Sequence, residues 1–340
     1  MGILFGGKSA EHEVSLQSAK NVIAALDKDK YESVLIGIDK TGRWYLGKNL
    51  EDLAVALDGS KAGLGRLLEI IEEKKIEVVF PILHGPYGED GTIQGLLKLA
   101  NIPFVGAGVL GSAMGMDKEV AKRLLRDADI PIAKFKVFLK SERKKINYEK
   151  IVKEFGLPLF VKPANLGSSV GVNKIKNRQD FVKAVKEAFL FDRKILVEKA
   201  VESREIECSV LGNEYPLASL PGEVIPARGF YDYEAKYLDK RTVLQIPAKL
   251  PKKIIRKVQK LALKTYKVLC CEGMARVDMF LQKDGEVLIN EINTIPGFTN
   301  ISMYPKLWEI SGLSYARLLD ELIKLAFQRF KDEQKLRTSR

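Results

Sequence analysis

Residues 274–299 read MARVDMFLQKDGEVLINEINTIPGFT. They describe two short strands folded back around Asp284-Gly285, the dipeptide that a two-residue type I′ turn prefers. With that turn Lys283 pairs with Glu286, and counting back sets Asp278 opposite Glu291 and Arg276 opposite Asn293. The period of two along each strand leaves all four on one face. Like charges directly across a sheet repel and weaken it. One account is structural, with Arg276 neutralising both carboxylates. The other is a ligand: two carboxylates and an amide oxygen suit a hard cation such as Mg²⁺, whose octahedron is completed by waters and substrate phosphates. Repulsion then becomes affinity, and Arg276 is left to contact a substrate oxyanion or carboxylate. The second account is preferred because Asn293 adds its oxygen to the same face and TIPGFTN leaves the strand as a Gly-rich loop.

A metal and phosphate face implies a phosphate site elsewhere. LFVKPANLGSSVGVNKI, residues 159–175, supplies Lys162 at a strand end, followed by Gly167, Ser168, Ser169 and Gly171. Gly-rich backbone approaches a phosphate closely, and a lysine adds a point charge. The loop is not G-x-x-x-x-G-K-[ST], so it is no P-loop, and ordinary turn chemistry competes with the phosphate reading. Lys118, near a helix start in GMDKEV, is a second candidate contact; a solvated lysine is the alternative.

The N-terminal LFGGKSAEHEVSLQSA is a strand, a Gly-Gly turn and a helix without the G-x-G-x-x-G fingerprint, so a dinucleotide is not indicated. Ser9 is the expected helix cap. Glu11 and His12 follow the strand's carboxyl end, where open α/β sheets bind ligands. His84 enters a loop in the same way in PILHGPYGEDG. These are the only histidines, and no metal spacing joins them. FYDYEAKYLDK gathers Phe230, Tyr231, Tyr233 and Tyr237 around Lys236. It reads as a flap that closes over a reacting centre, with a half-buried strand as the alternative.

The chain has 340 residues, 46% hydrophobic and 29% charged, enough for two or three domains. No apolar run approaches the roughly 20 residues a membrane span needs, and MGILFGG lacks the basic region of a secretory signal. Cys208, Cys270 and Cys271 make no disulfide framework, so a reduced, cytoplasmic setting and buried inert thiols are expected. The net charge of +12 is scattered along amphipathic helices such as KEVAKRLLRDA. A nucleic-acid binder would cluster it, so solvated helix faces are preferred, with some surplus serving polyanionic small ligands. Strand and helix alternate through the first hundred residues, the rhythm of a doubly wound parallel sheet. FVGAGVLGSAMGMDK reads as a passage between domains. A mixed α/β unit follows, then a third with the opening hairpin and a terminal helix whose polar end, FQRFKDEQKLRTSR, is expected to fray.

Taken together, the motifs resemble the D-alanine–D-alanine ligases of the ATP-grasp superfamily. GGKSAEHEVSLQSA, HGPYGEDGTIQG, MDK, FVKPANLGSSVGV, REIEC, YDYEAKY, ARVDMF and NEINTIPGFTNISMYPKLW carry the likeness almost from end to end, and eight in order are highly specific. The resemblance implies a mixed α/β, three-domain ATP-grasp fold, here residues 1–105, 106–199 and 200–340, with ATP clamped between the last two. It implies two Mg²⁺ or Mn²⁺ ions held by Asp278, Glu291 and Asn293, and phosphate contacts from Lys118, Lys162 and Lys236. Glu198, Lys199, Ala200 and Val201 match the strand bordering adenine, and Glu205 the carboxylate on the ribose. Glu11 falls on the acid for the first amino acid's ammonium, in a hydrogen-bonded group with Ser168 and Tyr237, and His84 lies in the substrate-side loop. Arg276 and the Gly297 N–H match the oxyanion site; Ser302 and Met303 lie where the second carboxylate is held. Pro86 and Tyr87 depart from the usual pattern and inherit no role.

The implied activity joins two D-alanines through a D-alanyl phosphate, for peptidoglycan precursors, in a cytoplasmic homodimer with no nucleic-acid or membrane partner. The base that takes the amine's proton stays open among Ser168, Tyr237 and released phosphate. Ligation of D-alanine to D-lactate or D-serine is the neighbouring alternative, which Tyr237 disfavours. A non-catalytic ATP- or nucleic-acid-binding protein is the alternative from another class.

Overall fold

The computed structural model of the chain describes residues 1–47, 64–226 and 242–337. The flap residues Phe230, Tyr231, Tyr233, Lys236 and Tyr237 lie outside them. Three sheets organise what is described, a mixed α/β architecture.

The first comprises β1 (Gly2–Gly6), β2 (Val34–Ile38), β3 (Trp44–Gly47) and β4 (Val79–Leu83), in the order β3-β2-β1-β4. β1 is buried at every position and runs parallel to β2 and β4, as continuous apolar strands covered on both faces do. The expected parallel sheet carries one antiparallel edge strand, β3. The reversal is local: the Asp39 carboxylate accepts the N–H groups of Thr41 and Arg43 at 2.8 and 2.9 Å and the Tyr45 hydroxyl at 2.9 Å, an Asx-type turn.

The second sheet is antiparallel, in the order β5 (Phe135–Leu139), β8 (Lys194–Lys199), β6 (Leu159–Pro163), β7 (Asn173–Ile175). Helices Tyr148–Phe155 and Arg178–Phe191 cover one face through Ile151, Phe155, Phe181, Val185 and Phe189. The third contains β9 (Arg204–Leu211), β10 (Leu217–Ala218), β11 (Gly222–Ile225), β12 (Val243–Gln245), β13 (Met274–Leu281) and β14 (Val287–Asn293). Its order is β12-β11-β9-β13-β14, with β10 on β9. Helix Lys252–Val268 packs Val258, Ala262 and Tyr266 on it, at the spacing of one helix face. The uncovered faces of the second and third sheets enclose a cleft of about 580 Å³.

One core crosses the sequence. Ile3, Phe5, Phe80 and Ile82 of the first sheet pack with Met274, Ile295, Phe298, Tyr304 and the long helix Tyr315–Gln334. Phe298 lies at its centre, 5.6 Å edge-on from Phe80 and 5.7 Å from Tyr304. The expected frayed tail is therefore docked as far as Gln334. Arg329 is buried and donates to the carbonyls of Phe104 and Gly106, its guanidinium 4.4 Å from the Phe104 ring. The passage VLGSAMGM is a helix, Val109–Met116. A Cβ at Gly111 would come within 2.5 Å of the Cys270 carbonyl, so small residues there serve close packing. Cys208 and Cys271 are buried as expected, whereas Cys270 is exposed. Among the described residues no helix is long and apolar enough to cross a membrane.

Candidate active site

Asp278 pairs with Glu291 and Arg276 with Asn293 in the hairpin, the pairing expected from the sequence but reached by another route. The turn has three residues, Lys283-Asp284-Gly285, with Gly285 at φ +83 and its N–H on the Gln282 carbonyl at 3.0 Å. Gln282, not Lys283, faces Glu286 across the ends, with a 2.8 Å bond. Near the tip the register is thus one residue off the expected one, Leu281 facing Val287. A bulge at Asn290 restores it between Met279 and Asp278. Pro131 accepts the Ile289 N–H at 2.8 Å beside that bulge.

Asp278 and Glu291 both line the cleft, and each has its own cation. Arg276 grips Asp278 with two bonds of 2.7 and 2.8 Å, and Lys118 lies 3.6 Å from Glu291. Neutralisation of the pair is thus shared between Arg276 and Lys118. A third carboxylate extends the row: Glu207 on β9 stands in register with Asp278, its oxygen 2.9 Å from Arg276 Nε. Among the described residues no group of three His, Cys, Asp or Glu side chains forms a metal set. Asn293 offers an amide oxygen on the same strand face. Asn293 Nδ2 donates to Asp278 Oδ2 at 2.9 Å, which leaves Oδ1 as its acceptor. Two carboxylates and an amide oxygen form a hard donor set that fits Mg²⁺ or Mn²⁺.

Across the cleft, Lys162 at the end of β6 is paired with Glu198 of β8, whose other oxygen accepts from Lys122 at 2.9 Å. Burial opposes charge on Glu198, but the two ammonium groups outweigh it and hold the carboxyl below its ordinary range. Glu198 thus spends its side chain on two lysines. Lys118 Nζ also donates to the Leu166 carbonyl at 2.6 Å, tying the 165–171 loop to the helix start. Lys199, Ala200, Val201 and Glu205 line the cleft with Phe160 and Phe280.

In the GSS loop, Ser168 and Ser169 have φ of +50 and +58. That strained backbone turns the Ser168 hydroxyl to donate to Glu11. A Cβ on Gly167 would lie 2.8 Å from Glu11 Oε2 and would push that carboxylate aside. Ser9 does not cap the following helix, which begins at His12; its hydroxyl accepts the Glu11 N–H at 3.1 Å. His12 is bonded locally to the Gly7 carbonyl at 2.8 Å.

His84 is buried. Its Nδ1 lies 3.0 Å from the Ile295 carbonyl, which can only accept, so Nδ1 carries the proton. Burial is the main reason the imidazole's pKa is lowered, and the ring stays neutral. A lowered folded pKa means the unfolded chain binds the proton more readily, so His84 costs stability as pH falls below about 6.5. Between pH 7 and 5 the unfolding midpoint of the wild type should fall further than that of His84→Gln. Parallel declines would contradict this.

Glu89, in the same loop, accepts the N–H of Gly85 at 2.8 Å and of Ile295 at 3.0 Å. Burial, reinforced by the negative charge of Glu11, pushes its carboxyl up to about 8. Each oxygen accepts one of these N–H groups, and the two bonds oppose the rise.

Ser302 precedes helix Met303–Ile310 and accepts the Thr299 N–H at 2.9 Å. A Cβ at Gly297 would sit 2.8 Å from its Oγ. The Met303 side chain is buried against Val224 and Leu307, so only its backbone N–H is offered to a ligand. Sequence reasoning passed over Lys122, Glu207 and Glu89. The first is one helical turn from Lys118 and the second two strand positions from Glu205, spacings that place each beside a residue already singled out.

The chain matches two family models, D-ala D-ala ligase N-terminus over residues 1–107 and D-ala D-ala ligase C-terminus over residues 124–324. It is 52% identical to a D-alanine–D-alanine ligase of Oceanobacillus iheyensis, over 100% of this chain and 98% of the relative. A solved D-alanine–D-alanine ligase of Coxiella burnetii superposes with a TM-score of 0.83 at 40% identity, covering 98% of this chain and 96% of that one. A D-Ala:D-Ser ligase of Enterococcus faecalis gives 0.85 at 37% identity, covering 96% and 98%.

Proposed function

The chain belongs to the D-alanine–D-alanine ligase family, with the ATP-grasp fold, and from that premise we infer how its residues divide the work. It is an ATP-dependent ligase that joins two D-alanines. The D-lactate and D-serine alternatives are not favoured, since the full-length relatives near 50% identity are named D-alanine–D-alanine ligases. A carboxylate oxygen of the first D-alanine attacks the γ-phosphorus and ADP leaves. The amine of the second attacks the acyl phosphate carbonyl, phosphate leaves with the C–O electron pair, and the amine gives up a proton.

The observation that carries the assignment of roles is the opposed pair Asp278 and Glu291 on the cleft wall, with Lys118 and Lys162 near the same space. Asp278, Glu291 and Asn293 would hold divalent ions, which supply charge neutralisation at the phosphates. Lys118 and Lys162 would grip the triphosphate, joined by Lys236. The backbone of 198–201 would border the adenine and Glu205 would reach the ribose. Glu11, oriented by Ser168, would take the first ammonium group, with His84 behind it. Arg276, held flat by two carboxylates, and the Gly297 N–H would face the developing oxyanion. Ser302 and the Met303 N–H would hold the second carboxylate. The three-domain partition, a homodimer and a cytoplasmic site of action belong to the same proposal.

The test is phosphate release from ATP with D-alanine, L-alanine, D-lactate or D-serine added. D-alanine alone should support turnover with one phosphate per dipeptide. Turnover with D-lactate or D-serine as second substrate at the D-alanine rate would overturn the substrate choice.

Lys122 gives a further prediction. Two buried ammonium groups share one carboxylate, so the cluster of Lys122, Lys162 and Glu198 keeps one net positive charge beside the space for a triphosphate. In Lys122→Met, Glu198 neutralises Lys162 alone. The KM for ATP should rise about tenfold, roughly 1.4 kcal/mol, with little change in the KM for D-alanine. An unchanged ATP KM would contradict it.

A further inference from the structure

The segment Thr294–Phe298, between the carboxylate strand β14 and the start of helix Met303–Ile310, is fastened from outside its own sheet. Glu89 Oε1 accepts the Ile295 N–H at 3.0 Å, and His84 Nδ1 donates to the Ile295 carbonyl at 3.0 Å. Both backbone groups of one residue are thus held by one loop, 206 and 211 residues away in sequence. That loop is itself braced: Glu89 Oε2 accepts the Gly85 N–H at 2.8 Å, and Gln94 donates to the Gly88 carbonyl at 2.8 Å. On the far side of Gly297, Ser18 Oγ accepts the Phe298 N–H at 3.1 Å, and Asn21 donates to the Phe298 carbonyl at 3.0 Å. Gly297 is bracketed by side chains of the N-terminal unit on both sides.

We propose that Glu89 is a positioning residue for the ligase reaction: its carboxylate bridges Gly85 and Ile295 and so sets the direction of the Gly297 N–H relative to Arg276. The proposal rests on the role given above to Gly297 and adds the group that aims it. A carboxyl group suits the task because both of its oxygens can accept, one from each N–H donor. The isosteric amide turns one of them into a donor facing a donor, leaving a buried N–H unsatisfied. A shift of the loop by a fraction of an ångström to 1 Å is enough to cost up to about 10²-fold in rate.

The experiment compares wild type with Glu89→Gln and Ser18→Ala. In Glu89→Gln, kcat for D-alanine-dependent phosphate release should fall about ten- to hundredfold while the KM for ATP stays within about twofold, because nothing on the phosphate side has moved. Amide exchange in residues 294–298 should quicken in the same variant. Ser18→Ala loosens the other flank and should show the same split to a smaller degree, which keeps the test open if Glu89→Gln folds poorly. A kcat in both variants within about twofold of wild type, or a loss of ATP affinity equal to the loss of kcat, would overturn the proposal. A wild type that releases no phosphate with D-alanine would sink the ligase reading itself. The exchange measurement would still decide the clamp, since unchanged protection of 294–298 in Glu89→Gln contradicts it.

Discussion

Asp278→Asn should lower D-alanine-dependent phosphate release by about 10³-fold, some 4 kcal/mol of barrier, while the protein still folds. The two expectations separate because Asp278 serves two partners. As half of the carboxylate pair it supplies a negative oxygen toward the cleft, and an amide there removes the charge that would draw a divalent ion. As a partner of Arg276 it can be spared, because Glu207 lies 2.9 Å from the same guanidinium and keeps it from being buried unpaired. The substitution is isosteric and leaves Val277 and Met279 in the core beneath. Turnover and thermal unfolding of the same sample decide the matter. Comparable Mg²⁺-dependent activity, or a chain that no longer folds, would refute the division of roles.

Arg276→Ala should be worse, since it damages activity and fold together. Asp278 and Glu207 face each other across β13 and β9, with Arg276 between them, and all three side chains are less than one-fifth exposed. Without the guanidinium the two carboxylates repel across adjacent strands with little water to screen them. Breaking such a buried ion network costs about 3–5 kcal/mol. Loss of the oxyanion donor proposed for Arg276 should also remove about 10²–10³ in kcat. Arg276→Lys should recover stability more than rate, because an ammonium restores charge but not the two-bond grip on Asp278. Chemical denaturation beside steady-state kinetics checks both halves; full rate in Arg276→Lys would show that the fork geometry is irrelevant.

The hairpin shows how far sequence reaches. Period-two alternation identified the cleft-facing residues, and the Asp278–Glu291 pairing was legible. The turn was misassigned because Asp-Gly serves both a two-residue loop and a three-residue loop with Gly285 in the left-handed region. The bulge at Asn290 then cancelled the slip, and nothing in the local sequence announces it. The strand–helix alternation was readable because apolar runs such as Gly2–Gly6 and Val79–Leu83 bury every residue. Helix Val109–Met116 was hidden since its glycines, poor helix formers in isolation, are retained for contact with Cys270 and Thr294. The docking of the terminal helix's polar end was hidden because Arg329 looks like surface and is buried by a stacked ring and two carbonyls.

The site divides along the same line. Glu11 and Ser168 stand in loops, Lys162 near a strand end, Lys118 at a helix start and the hairpin pair on one strand face, where motif and spacing reveal them. Lys122, Glu207 and Glu89 act through burial of charge, which depends on what other segments bring to them. The pairing of Arg276 with Glu207 exists only once β9 lies beside β13.

The central proposal is that Asp278 and Glu291, each already beside a cation of its own, also hold a divalent ion bound with the nucleotide. Electron paramagnetic resonance of Mn²⁺, titrated into the protein saturated with a non-hydrolysable ATP analogue, tests it most directly. Wild type should sequester Mn²⁺ with at least about tenfold higher affinity than the double variant Asp278→Asn, Glu291→Gln, a difference of roughly 1.4 kcal/mol or more. Equal Mn²⁺ affinities with the analogue still bound would contradict the account.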